Sequence, residues 1–197
     1  MSTITMVYVF IAVVILLIIG PIIAVLPSRR QKEQMALRKR AMAEGISIEF
    51  TRIDDPDPDP EKYRSNTGKP LERVMSVVAY RSIRPTREEW RRIPRIDWCA
   101  VRRADSAAPD LPAGWAWENE LPARMSNELI AFIANELQKL PNDVVRVDEV
   151  RNVISVYWQE RGVEQELNLI IQFLKGCAGI TPWIPLPDSD ENDDPSE

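Results

Sequence analysis

The chain has 197 residues, 45% hydrophobic and 28% charged, with 25 basic and 30 acidic side chains and a net charge of −5. That leaves room for one modest domain with attachments, and the charge balance argues against a uniformly basic nucleic-acid binder. There is no histidine, which removes Ser-His-Asp and Cys-His chemistry and the commonest transition-metal ligand.

Met6 to Leu26 is a run without a charged residue. At 1.5 Å per residue it would rise roughly 30 Å, the thickness of a hydrocarbon core, and so predicts a transmembrane helix within an anchor over 1–27. A cleaved signal peptide fits less well, because no base precedes the run and Ala24-Val25-Leu26-Pro27 is a poor cleavage site. Bases follow at Arg29, Arg30, Lys32, Arg38, Lys39 and Arg40. By the positive-inside rule they place the N-terminus outside and all from Ser28 onward in the cytoplasm, with anionic lipid head groups as partners for the basic residues. The expected location is the bacterial inner membrane, as a single-pass protein.

Residues 28–45 are rich in helix formers and end at Gly45, a C-cap residue. They predict a basic juxtamembrane helix, a stalk more than a core element. Ile46 to Thr51 alternates apolar and polar residues and predicts a half-buried strand. The alternating Asp and Pro from Asp54 then predict a solvated acidic linker up to residue 70, and its lack of backbone curvature argues against cation binding.

From 71 to 180 the pattern predicts a cytoplasmic α+β domain, an antiparallel sheet with two amphipathic helices. Val74 to Ile83 and Ile96 to Arg103 read as strands, separated by a turn that carries Arg87, Arg91, Arg92 and Arg95 around Trp90. Asn127 to Leu140 has helical spacing, with Ser126 as N-cap and Pro141 as stop. Val144 to Val150 and Val153 to Trp158 are joined by Arg151-Asn152 and predict a hairpin. Val163 to Leu174 gives a second amphipathic helix closed by Gly176. Each helix is expected to cover one sheet face. Residues 181–197, proline-rich and then acidic, predict a disordered tail.

Cys99 and Cys177 form no CxxC pattern and read as buried core thiols. No Gly-rich phosphate loop or GxSxG is present. Glu149, Glu160 and Glu164 are expected to be solvated. No catalytic, cofactor-binding or metal-ligating residue is assigned, and an enzyme is not expected.

One apolar helix followed by "PSRRQKEQMALRKRAMAEG" and the strand "ISIEF" resembles the YajC proteins, small bacterial accessory subunits of the Sec preprotein translocase. The likeness covers Val7 to Phe50. From Asp54 the chain departs, with acid and proline where that family shows a Gly-Gly turn. The resemblance implies a role in protein transport with the Sec translocase as partner.

The functional expectation is therefore an inner-membrane accessory or scaffold protein whose cytoplasmic domain docks on a protein partner. Trp90, Trp115 and Trp117 are the candidate interface residues. A membrane-tethered enzyme or ligand sensor is the alternative. A membrane-associated nucleic-acid binder, which would gather Arg87, Arg91, Arg92, Arg102 and Arg103 on one face, is a further one.

Overall fold

The structure is a computed structural model that describes residues 3–25, 28–85, 96–106 and 108–184, with side chains of the first helix from Ile4 to Ile19. The chain divides into two compact units between Ala36 and Leu37. In chain order the elements are α1 (Thr3–Val25), α2 (Arg29–Ala43), β1 (Ser47–Asp54), β2 (Val74–Ile83), β3 (Trp98–Arg102), β4 (Trp115–Trp117), α3 (Asn127–Leu137), β5 (Val144–Val150), β6 (Val153–Trp158) and α4 (Glu164–Gly179).

The first unit corrects the membrane expectation. Among the described residues no helix is long and apolar enough to cross a membrane. The transmembrane helix, the single-pass topology and the inner-membrane location are therefore set aside.

The second unit is α+β, as the residue pattern predicts. Its six strands form one antiparallel sheet in the order β1-β2-β6-β5-β3-β4. The β5–β6 hairpin turns on Arg151 (φ 53°) and Asn152 (φ 63°), the paired positive φ values of a turn whose twist matches the strands it joins. Ser126 caps α3 by accepting a hydrogen bond from Leu129 N at 3.2 Å.

Both α3 and α4 lie on one sheet face, which departs from the expectation of one helix per face. Leu129, Ile133 and Leu137 of α3 and Leu167, Ile170 and Leu174 of α4 pack in one core with Val78, Tyr80, Val147, Ile154, Val156 and Trp158 of the sheet. Each such side chain contributes about 1.5–3 kcal/mol by burial. Gly176 is inside α4 and not its terminus. A Cβ there would come within 2.8 Å of Phe132 Cε2 and closer still to Cζ, so the missing side chain is what lets α3 and α4 approach. Leu37 and Ala41 of α2 are also buried in this core, so that half of the basic helix packs as a core element.

The opposite face carries a smaller cluster of Val77, Ala79, Val145 and Tyr157, flanked by Ile53 and Met75. Among the described residues no helix contributes to this cluster. β1 and β3 are separated by three strands, about 19 Å in a flat sheet at 4.8 Å per spacing. Nevertheless Arg103 Nε, just beyond β3, donates to Pro56 O at 3.2 Å, and Ala104 N donates to Asp57 Oδ2 at 2.9 Å. The acidic segment after β1 is thus a strap tied down at Pro56 and Asp57, with the side chains of Asp57, Asp59 and Glu61 exposed. Asp55 Oδ2 fastens it locally, accepting from Tyr63 Oη at 2.6 Å and Lys62 Nζ at 3.0 Å.

Candidate protein-docking site

The sheet has two ends of unequal length. β4 closes one with three residues, whereas β1 forms the other with eight and has no partner on its outer side among the described residues. Within β1 there is no Pro, Gly or bulge to blunt pairing.

One bond outside the strand sets which backbone groups point outward. Asp55 N donates to Arg73 O at 2.7 Å, continuing the β1–β2 register in which Ser47 faces Arg81 and Ile53 faces Met75. In an antiparallel ladder alternate residues bond the same neighbour. Ser47, Glu49, Thr51 and Ile53 therefore spend their N–H and C=O groups on β2. Those of Ile48, Phe50, Arg52 and Asp54 face outward.

Two of those residues also border an open groove. Phe50, Thr51, Arg52, Ser76, Val77, Val78, Trp158 and Gln159 line a depression of about 370 Å³, within the range of small-ligand and side-chain sites. Val78 and Trp158 are buried members of the core cluster, while Phe50 is 67% exposed. The Trp158 indole nitrogen has no hydrogen-bond partner among the described residues. Arg52 is exposed and is the one charged residue among those that line the groove.

A buried polar group stiffens the ground beside it. The Arg38 guanidinium stacks over the Phe50 ring at 4.6 Å and is fastened to Glu160 through Nε–Oε1 at 2.9 Å and through Nη2–Oε2. Tyr80 Oη donates to Glu160 Oε1 at 2.7 Å. Burial, with the Glu160 carboxylate beside it, holds the Tyr80 phenol protonated far above its ordinary range. Glu160 itself is 3% exposed and sits at φ 52°, a backbone position that disfavours most residues.

The other predicted residues are dispersed. Arg29, Arg30, Lys32 and Lys39 are exposed along α2, and Arg40 pairs with Glu164. Trp115 is 1% exposed in the main core with Arg102 over its ring. Trp117 is half-buried and meets Trp98 edge-on at 6.2 Å. Trp90, Arg87, Arg91, Arg92 and Arg95 lie outside the described residues, as does the tail beyond Ile184. Arg102 turns inward, donating to Val144 O at 2.8 Å and Pro141 O at 3.0 Å, and Arg103 is engaged with the strap. These two arginines form no open basic surface.

Glu149 and Glu160 are buried and paired, against the expectation of solvated carboxylates. The sequence held a signal for Glu149, which shares strand parity with the core residue Val147. Both thiols are free and buried, and burial pushes their pKa values well up, so neither is a ready nucleophile. Among the described residues no group of three His, Cys, Asp or Glu is placed to hold a metal ion.

No protein-family model, curated protein or solved structure matches the chain at a significant level, so the comparisons neither strengthen nor weaken the likeness to YajC proteins.

Proposed function

We propose that this chain is a non-enzymatic docking module that takes up an extended segment of a protein partner along the outer edge of β1. The observation that supports this reading is the coincidence of two features on the same residues. Phe50 and Arg52 present outward backbone groups that no strand among the described residues pairs, and both also border the groove. A strand added there gains main-chain hydrogen bonds for affinity, while side chains next to Phe50 and the groove set the choice of partner.

The parity of β1 supplies a clean test. Pro at position 52 removes only an outward N–H and spares the ladder with β2. Random peptides displayed on phage are selected on the full chain and then titrated against Arg52→Pro and Phe50→Ala. Selected peptides should lose at least about tenfold in affinity on both variants while the thermal transition is retained. Peptides that bind Arg52→Pro as well as the original chain would place docking elsewhere and overturn the reading.

A further inference from the structure

We infer that the β1 edge is specific for an extended partner segment carrying an apolar residue and, two positions away, a carboxylate. This rests on the docking reading above and adds the chemistry of the partner. Residues two apart on an added strand share a face and stand opposite Phe50 and Arg52 whichever way the strand runs. Opposite Phe50 the surface is a ring that Arg38 covers on one side and that is still 67% exposed, so that its burial rewards an apolar side chain. A long one extends over the ring toward the floor of Val78 and Trp158.

Opposite Arg52 the surface is a cation. Arg38 is engaged by Glu160, Arg81 by Glu49 and Arg146 by Asp148 and Glu118. Arg52 makes no ion pair among the described residues. A carboxylate directly across a strand pair is the complement it lacks.

A second copy of this chain is a poorer occupant. Symmetric antiparallel pairing of two β1 strands that uses their outward groups opposes Arg52 with Ile48, Phe50, Arg52 or Asp54 of the other copy, depending on register. The first two supply no charge and the third repels. The fourth meets a carboxylate but overlaps only residues 52 to 54. No long register of self-pairing satisfies Arg52, whereas a foreign strand can satisfy it along the whole edge.

The test uses synthetic seven-residue peptides of alternating Thr and Val. The central residue is Phe, and the residues two positions away on both sides of it are Glu, Ala or Lys, so that either strand direction sets one of them opposite Arg52. Their affinity for the full chain is read by fluorescence anisotropy. The Glu peptide should bind about fivefold more tightly than the Lys peptide, as expected for a cross-strand charge pair. Arg52→Glu should invert that order, and Arg52→Pro should weaken all three. Equal affinities, all lost with Arg52→Pro, would refute the carboxylate preference and leave edge docking intact. No binding by any peptide would refute both. A concentration-dependent dimer by sedimentation that Arg52→Pro dissolves would assign the edge to a second copy instead.

Discussion

Arg84, which follows β2, grips Glu149 in β5 with two hydrogen bonds, Nε–Oε1 at 2.6 Å and Nη2–Oε2 at 2.7 Å, and both side chains are 1% exposed. Trp98 Nε1 donates to the same carboxylate at 2.9 Å. The remaining Arg84 nitrogen, Nη1, donates to Cys177 O at 2.5 Å and to Ile180 O. One guanidinium thus ties the end of β2 to the sheet centre and to the last carbonyls of α4. Arg84→Met would leave the Glu149 charge buried without its counter-ion, at a cost of about 3–5 kcal/mol. The double variant Arg84→Met, Glu149→Leu should be less destabilised than Arg84→Met, with a coupling of at least about 2 kcal/mol in chemical denaturation. Additive losses would show that the two side chains act independently.

Gly176 gives a prediction whose sign depends on its neighbour. Ala would gain about 1 kcal/mol of helix propensity over Gly, but its Cβ would collide with the Phe132 ring. Overpacking of this kind costs about 1–3 kcal/mol, so Gly176→Ala should be net destabilising in the original chain. With Phe132→Ala already in place the same change should become stabilising. Equilibrium unfolding of the four proteins decides the point, and an unchanged sign in both backgrounds would reject the contact as the cause.

Two aspartates should give pH dependences of opposite slope. Asp148 is 1% exposed; burial raises its pKa against the pull of Arg146. A raised folded-state value means the folded chain holds the proton more tightly than the unfolded one. The resulting stabilisation is complete below the ordinary value near 3.8 and is lost as pH rises through the folded one. For Asp55, burial also acts against the charged form. It is outweighed by hydrogen bonds from Tyr63, Lys62 and the Asp57 N–H, and the pKa is lowered. Its contribution is present above the ordinary value and is lost as pH falls through the folded one. Urea titrations over acidic pH should show Asp148→Asn removing a downward slope and Asp55→Asn removing an upward one. Curves parallel to the original chain for either variant would contradict its assignment.

At the hairpin tip, two non-glycine residues hold left-handed backbone angles. Replacing Arg151-Asn152 by Asn-Gly supplies the residues that such turns prefer. The exchange should stabilise the fold by about 0.5–1 kcal/mol in thermal denaturation. The bond from the residue 151 N–H to Asp97 Oδ1 at 2.9 Å is retained, because it uses only backbone on that side. A lower melting temperature would mean that the Arg151 side chain contributes more than its strain costs.

Local patterns in the sequence carried much of this fold. Val74 to Ile83, the β5–β6 hairpin and the Ser126 cap lie where periodicity and turn chemistry place them. What escaped was set by long-range contact. The acidic strap reads as a spacer because its order depends on Tyr63 and on Arg103 and Ala104, some forty-seven positions away. β4 is three residues long, too short for an alternation to register. Gly176 resembles a helix terminus because its packing partner, Phe132, belongs to another helix. The candidate edge was legible as the strand Ile46 to Thr51. Its outward parity was not, since that follows from the pairing of Asp55 with Arg73.

The strand order also bears on how the chain is made. β2 lies between β1 and β6, and Val78 pairs with Trp158, eighty residues later. During synthesis β1 and β2 can meet early, but the inner edge of β2 has no neighbour until β6 leaves the ribosome. For that interval the nascent sheet exposes the long inner margin of β2 as well as that of β1, the condition under which growing chains aggregate or recruit chaperones. Closure waits on the β5–β6 hairpin, which is local and quick to form. The pace at which residues 144–158 emerge should therefore govern the yield of native protein.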